Sequence, residues 1–137
     1  MYTVEIDRDR PDFRVFVDLL YGHGRNVDTE GNSYPVNSRS WTELYIKDRE
    51  SNDPAVDIAL REGAPAKLEI TSGSSRLEEL AALYLCISCG QSLWQEGAYL
   101  PPERISQLRV TYAMELARAD ASVWHQSSDA CPYPNGL

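Results

Sequence analysis

Long hydrophobic runs are missing from this 137-residue chain, and so is any excess of basic charge. No stretch approaches the about 20 apolar residues of a membrane span, and the opening Met-Tyr-Thr-Val-Glu-Ile-Asp-Arg-Asp-Arg has no apolar core of a signal peptide. A cytoplasmic protein is the expectation. Cysteine is scarce, with three residues, and so is histidine, with two. An odd cysteine count makes no disulfide framework, and free thiols suit a reducing compartment. The phosphate-loop pattern, the G-x-S-x-G elbow, internal repeats and low-complexity segments are all missing.

What is present is acid: 21 Asp and Glu against 13 Lys and Arg, a net charge of −8, spread along the chain as −5 over residues 1–70 and −3 over the remainder. This balance repels a phosphate backbone, whose non-specific affinity comes from basic groups displacing counterions, and it repels an anionic membrane surface. A small local basic patch, such as Arg8, Arg10 and Arg14, can still survive inside the acidic total. One sign of surface charge speeds encounter with the opposite sign, so a basic protein partner is the simplest account; solubility alone is the rival.

With 42% hydrophobic and 25% charged residues the composition is that of a globular domain built on burial. Residues 1–125 read as a single α+β domain and residues 126–137, with little hydrophobicity, as a C-terminal tail. Val4 and Ile6 mark an opening strand. Phe13, Val15, Val17, Leu19 and Tyr21 alternate with their neighbours and predict a second strand. Residues 22–40 are rich in Gly, Asn, Ser and Pro and predict a long polar loop. Alternation returns at 41–48, 56–60 and 68–70. The expected sheet is an antiparallel meander of four or five strands, followed by two helices packed on one face.

The first helix is set by Ser75 and Glu78, spaced as a capping box. Its run from Ala81 to Ile87 is apolar nearly all round, so it is expected to lie on the sheet beneath another element. That element is a second, amphipathic helix. Pro101-Pro102-Glu103 starts it, and Ile105, Leu108, Tyr112, Leu116, Ala119 and Val123 carry it to about Trp124.

Candidates for chemistry are few, and each has a plain structural account. Cys86 and Cys89 share a helix face in a C-x-x-C spacing, yet they lie far from the helix start that lowers a thiol pKa, and no further ligands complete a zinc site. Burial suffices for them. His23 lies between two glycines, and His125 is placed to meet the last carbonyls of its helix. Ser72-Gly73-Ser74-Ser75 sits between strand and helix, where backbone donors gather on an anion, though capping explains it equally. Asp28-Thr-Glu30-Gly-Asn32 fails as a calcium loop, because Ser33 stands where a glycine is required and Arg39 where a glutamate is. No cofactor and no metal is expected.

The most suggestive group is aromatic and acidic together. In the strand from residue 41, the side opposite Leu44 and Ile46 would carry Trp41, Glu43 and Tyr45, beside Tyr34 and the acids Asp28, Glu30, Asp48, Glu50, Asp53 and Asp57. Aromatic anchors among carboxylates suit capture of Arg- and Lys-rich surfaces. The alternative is that a helix covers this side and the aromatics belong to the core.

Ser40-Trp-Thr-Glu-Leu-Tyr-Ile, Leu68-Glu-Ile-Thr-Ser and Leu77-Glu-Glu-Leu-Ala-Ala are similar in character to segments of the immunity proteins that bacteria pair with secreted polymorphic toxins. The resemblance implies stoichiometric inhibition, in which the protein covers or distorts a toxin's active site and performs no turnover. Acidic type III secretion chaperones share the size and charge, but they open with a helix, whereas strands open this chain. A small enzyme or ligand-binding domain remains the other reading, with the Ser72 to Ser75 loop holding an anion and His23 or His125 as base.

Overall fold

The computed structural model describes residues 1–134. It is α+β, with β1 (Tyr2–Ile6), α1 (Arg14–Leu20), β2 (Val27–Gly31), β3 (Glu43–Asp48), β4 (Val56–Arg61), β5 (Lys67–Ser72), α2 (Ser75–Cys89), β6 (Gly90–Gln95), β7 (Ala98–Tyr99), α3 (Pro102–Thr111) and α4 (Ala113–Asp120). The strands form one antiparallel sheet of seven, ordered β2-β3-β4-β5-β1-β6-β7. β2 to β5 are the meander. β1 pairs with both β5 and β6, so the β5-α2-β6 connection crosses over it and the first strand lies inside the sheet. No helix among the described residues is long and apolar enough to cross a membrane.

Alternation along each strand divides the sheet into a dry face and a wet one. Leu44, Ile46, Val56, Ile58, Leu68, Ile70, Tyr2, Val4 and Leu93 are buried on the first, beneath α1 and α2. α2 is buried on most sides, as its apolar circumference predicts, with α3 against it and α4 against α1. No helix among the described residues covers the second face, where Glu43, Tyr45, Asp57, Glu69 and Trp94 are exposed or half-buried.

Residues 13–21 do not form the expected strand. All seven residues of α1 are buried, and when nearly every position is apolar a period of two and a period of 3.6 cannot be told apart. Asp12 provides the start: its Oδ1 accepts from the Arg14 backbone N–H at 2.9 Å and its carbonyl accepts from Val15. Two strands, β6 and β7, follow α2 unforeseen, and β2 lies within the segment expected as loop. At α2 the cap is Ser74 rather than Ser75. Its Oγ accepts from Leu77 N–H at 3.2 Å, while Glu78 accepts from Ser72 N–H at 2.9 Å. The second helix breaks in two at Tyr112, whose ring is buried and whose hydroxyl donates to Glu79. Thr111 Oγ1 also donates back to the Gln107 carbonyl, a bond that bends helices.

The tail segment is anchored as far as it is described, through polar contacts that hydrophobicity does not reveal. Arg14 donates to both oxygens of Asp12 and to the Pro132 carbonyl, and its guanidinium lies 3.9 Å from the centre of the Trp124 ring. Ser127 Oγ donates to Asp12 Oδ2 at 2.6 Å, and Asn37 donates to Asp129 at 2.8 Å. Residues 135–137 of the expected tail lie outside the described residues.

Candidate functional site

Two neighbouring regions hold most of the residues singled out above. The first is the uncovered sheet face. Register aligns Glu30, Tyr45, Asp57 and Thr71 in one cross-strand row, and Glu43, Ala59, Glu69 and Thr3 in the next. Between them is a shallow hollow of about 300 Å³, lined by Glu30, Gly31, Glu43, Tyr45, Asp57 and Ala59 among others. Glu30, Glu43 and Asp57 have no ion-pair partner among the described residues, whereas Glu69 is bonded to Arg61 at 2.7 Å. Three unneutralised carboxylates thus surround a half-buried tyrosine. Gly31 makes the close approach possible: at φ +116 its backbone is left-handed, and a Cβ there would stand 2.2 Å from the Glu43 carbonyl oxygen.

Not every predicted residue joins this face. Trp41 precedes β3, is only 1% exposed, and packs its ring edge-on against Phe16. Its indole N–H donates to the Pro11 carbonyl at 2.9 Å, so it is core and meets no partner. Asp48 follows Leu44 and Ile46 on the dry face, buried and bonded by Arg25 Nη2 at 2.5 Å. That hydrogen bond holds its carboxyl below the usual value, against the opposing effect of burial. Both residues are removed from the binding set by burial.

The remaining acids are peripheral. Asp28 lies on the open face but is paired with Arg49, whose Nε donates to it at 2.6 Å, and this lowers its pKa. Glu50 accepts from the Asn26 N–H at 2.8 Å and lies 3.5 Å from Arg25. Asp53 is exposed in the turn after β3, where its carbonyl accepts from Lys47. The alternation of residues 67–72 could have placed Glu69 on the open face. Trp94 and Tyr99, which pack 5.3 Å apart across β6 and β7 on that face, had no strand signal around them.

The second region is a cleft of about 400 Å³ between α1 and β2. Phe13, Val17 and Val27 give it apolar walls, and Asp18, Thr29 and Tyr34 add polar groups. Tyr34 stands at its mouth, 61% exposed, with its hydroxyl 3.3 Å from Thr29 Oγ1. His23 also lines it, with Nδ1 3.5 Å from the buried Asp18 carboxylate.

The cleft includes none of Ser72, Gly73, Ser74 and Ser75. The hydroxyls of Ser72 and Ser74 are turned to local backbone N–H groups. His125 is held elsewhere, with Nε2 2.7 Å from the Ala119 carbonyl at the end of α4, the contact its position predicts. The loop and the histidines therefore do not converge. Cys86 and Cys89 are free thiols, and burial pushes Cys89 up to about 11, so it is protonated and unreactive at neutral pH. No group of His, Cys, Asp and Glu able to hold a metal is found among the described residues. Comparison with protein-family models, with curated proteins and with solved structures returned no match.

Proposed function

We propose that this protein is a non-catalytic binding protein that neutralises a basic protein partner by stoichiometric complex formation on the open face of its sheet. The observation that carries this reading is the trio Glu30, Glu43 and Asp57, which among the described residues are unpaired and set around Tyr45 on a face covered by none of the described helices. Carboxylates already bonded to arginines have little left to offer a partner, whereas these three can each accept a charge-assisted hydrogen bond. The net charge of −8 supplies the long-range attraction, and Tyr45 supplies an aromatic surface for a guanidinium or an alkyl stem. The resemblance to immunity proteins makes a bacterial toxin effector the partner class, bound without turnover in the cytoplasm.

The test is capture of partners from the native cell background at low and high salt, with the wild type and with Glu43→Lys plus Asp57→Lys. A basic partner is expected to be retained at low salt, released as salt rises, and bound at least about tenfold more weakly by the double variant, as rim and hot-spot charges allow. Unchanged affinity in the double variant would sink this placement of the interface.

A further inference from the structure

β2 is hydrogen-bonded on one side only, to β3, and its other side is an edge of the sheet. In an antiparallel ladder bonded and non-bonded pairs alternate. The N–H of Arg49 donates to the Asn26 carbonyl and the N–H of Asn32 to the Glu43 carbonyl, so the bonded pairs between them are Asp28–Lys47 and Glu30–Tyr45. The backbone groups of Val27, Thr29 and Gly31 therefore point away from the sheet, and none has a partner among the described residues. β7, the opposite edge, is only two residues long. β2 thus presents the longer row of free donors and acceptors.

What flanks this row is different on its two sides. Val27 and Thr29 turn to the helix side and line the cleft beside α1, whose volume of about 400 Å³ is enough for one or two side chains. Asp28 and Glu30 turn to the open face, next to Tyr45 and the unpaired Glu43 and Asp57. A strand laid along this edge would drop alternate side chains against the apolar wall of the cleft, whose rim also carries Arg14, Asp18 and Arg25, and onto the acidic face. A second copy of this chain would bring its own Asp28 and Glu30 against these acids, a repulsion by which edges resist self-pairing. The geometry and charge point to an extended, basic segment.

We propose that the free edge of β2 is a strand-addition site for an extended segment of the basic partner, with apolar side chains entering the α1–β2 cleft and Lys or Arg side chains meeting Glu30 and its neighbours. This inference rests on the binding reading above, and it adds main-chain pairing to side-chain charge.

The probe is a blocked heptapeptide of alternating Lys and Val, titrated into the isotope-labelled full chain while backbone amides are followed by NMR. The amides of Val27, Thr29 and Gly31 are expected to shift and to gain protection from exchange. Of two peptides N-methylated on one or the other alternate set of residues, one is expected to lose affinity by about tenfold or more, because only one set faces β2 and each lost bond weakens binding by roughly fivefold. In the protein, Thr29→Pro removes one outward N–H and leaves the β2–β3 ladder whole, so it should weaken the peptide by about fivefold, the worth of one such bond, with a preserved amide spectrum elsewhere.

Equal binding of both N-methylated peptides, shifts confined to Tyr45, Asp57 and Ala59, or no binding at millimolar peptide would each overturn strand addition. Equal binding or shifts on the open face alone would leave capture by that face standing. Conversely, addition to β2 combined with unchanged partner affinity in Glu43→Lys plus Asp57→Lys would remove the open face from the interface and keep the edge.

Discussion

An indole N–H bonded to a carbonyl inside a core is not available to a partner, and Trp41 illustrates how the same residue type serves either end by its position alone. It stands two residues before β3, outside the strand whose alternation places Glu43 and the half-buried Tyr45 on the open face. Trp41→Ala should destabilise the fold by about 3–5 kcal/mol, as large-to-small changes in cores do, with partner affinity unchanged in the folded fraction. Urea unfolding read beside a binding titration separates the two effects. Asp48 makes a related point about charge. Its pKa is lowered from 3.8, chiefly by the hydrogen bond from Arg25. A carboxylate with a depressed folded pKa contributes stability that is complete above the unfolded value and is lost as pH falls through the folded one. Arg25→Gln should therefore lower stability at neutral pH and flatten its fall below about pH 4, and unfolding midpoints of the two proteins should converge in acid.

Among the elements, those with a clear period were legible and those with two periods or none were not. β1, β3, β4 and β5 alternate and were placed to within about two residues, and α2 was placed with its cap shifted by one. α1 was lost because apolar residues fill both periods. β2 was lost because Val27-Asp-Thr-Glu-Gly has one apolar side chain and borrows its order from β3. The break at Tyr112 depends on a contact distant in sequence: Glu79 on α2 accepts from both Tyr2 at 2.5 Å and Tyr112 at 2.8 Å, joining sheet, central helix and outer helices. Burial first, and the Glu79 carboxylate second, raise both phenols, Tyr112 to about 12. An acid whose folded pKa is raised contributes stability below its unfolded value, near 10 for tyrosine, that is lost as pH rises towards the folded one. Stability should thus decline above pH 10, and Tyr112→Phe should make that decline shallower. Denaturant midpoints between neutral pH and about pH 12 would show it.

For the whole molecule, the α+β class and an overlaid central helix followed from the sequence, while the seven-strand order did not, since nothing local announces that β1 is an interior strand. The candidate site was half legible. Glu30, Glu43, Tyr45 and Asp57 share a face because alternation aligns them, whereas Trp41 and Asp48 needed the third dimension to be assigned to the core. The division into a helix-covered face and a bare one also explains how so acidic a chain keeps an ordinary core: most of the surplus carboxylates are at the surface, and Asp12, Asp18 and Asp48 are the buried exceptions. The interior place of β1 has a further consequence, in time rather than space. Its two neighbours lie more than 60 and more than 80 residues downstream in the sequence, at β5 and β6. During synthesis β1 leaves the ribosome well before either neighbour and is therefore among the last of these strands to be enclosed, and such distant pairings slow folding. Until β6 arrives, the hairpins from β2 to β5 can assemble while one edge of β1 waits, so the newborn chain passes through a stage with an apolar strand exposed that the finished protein never displays.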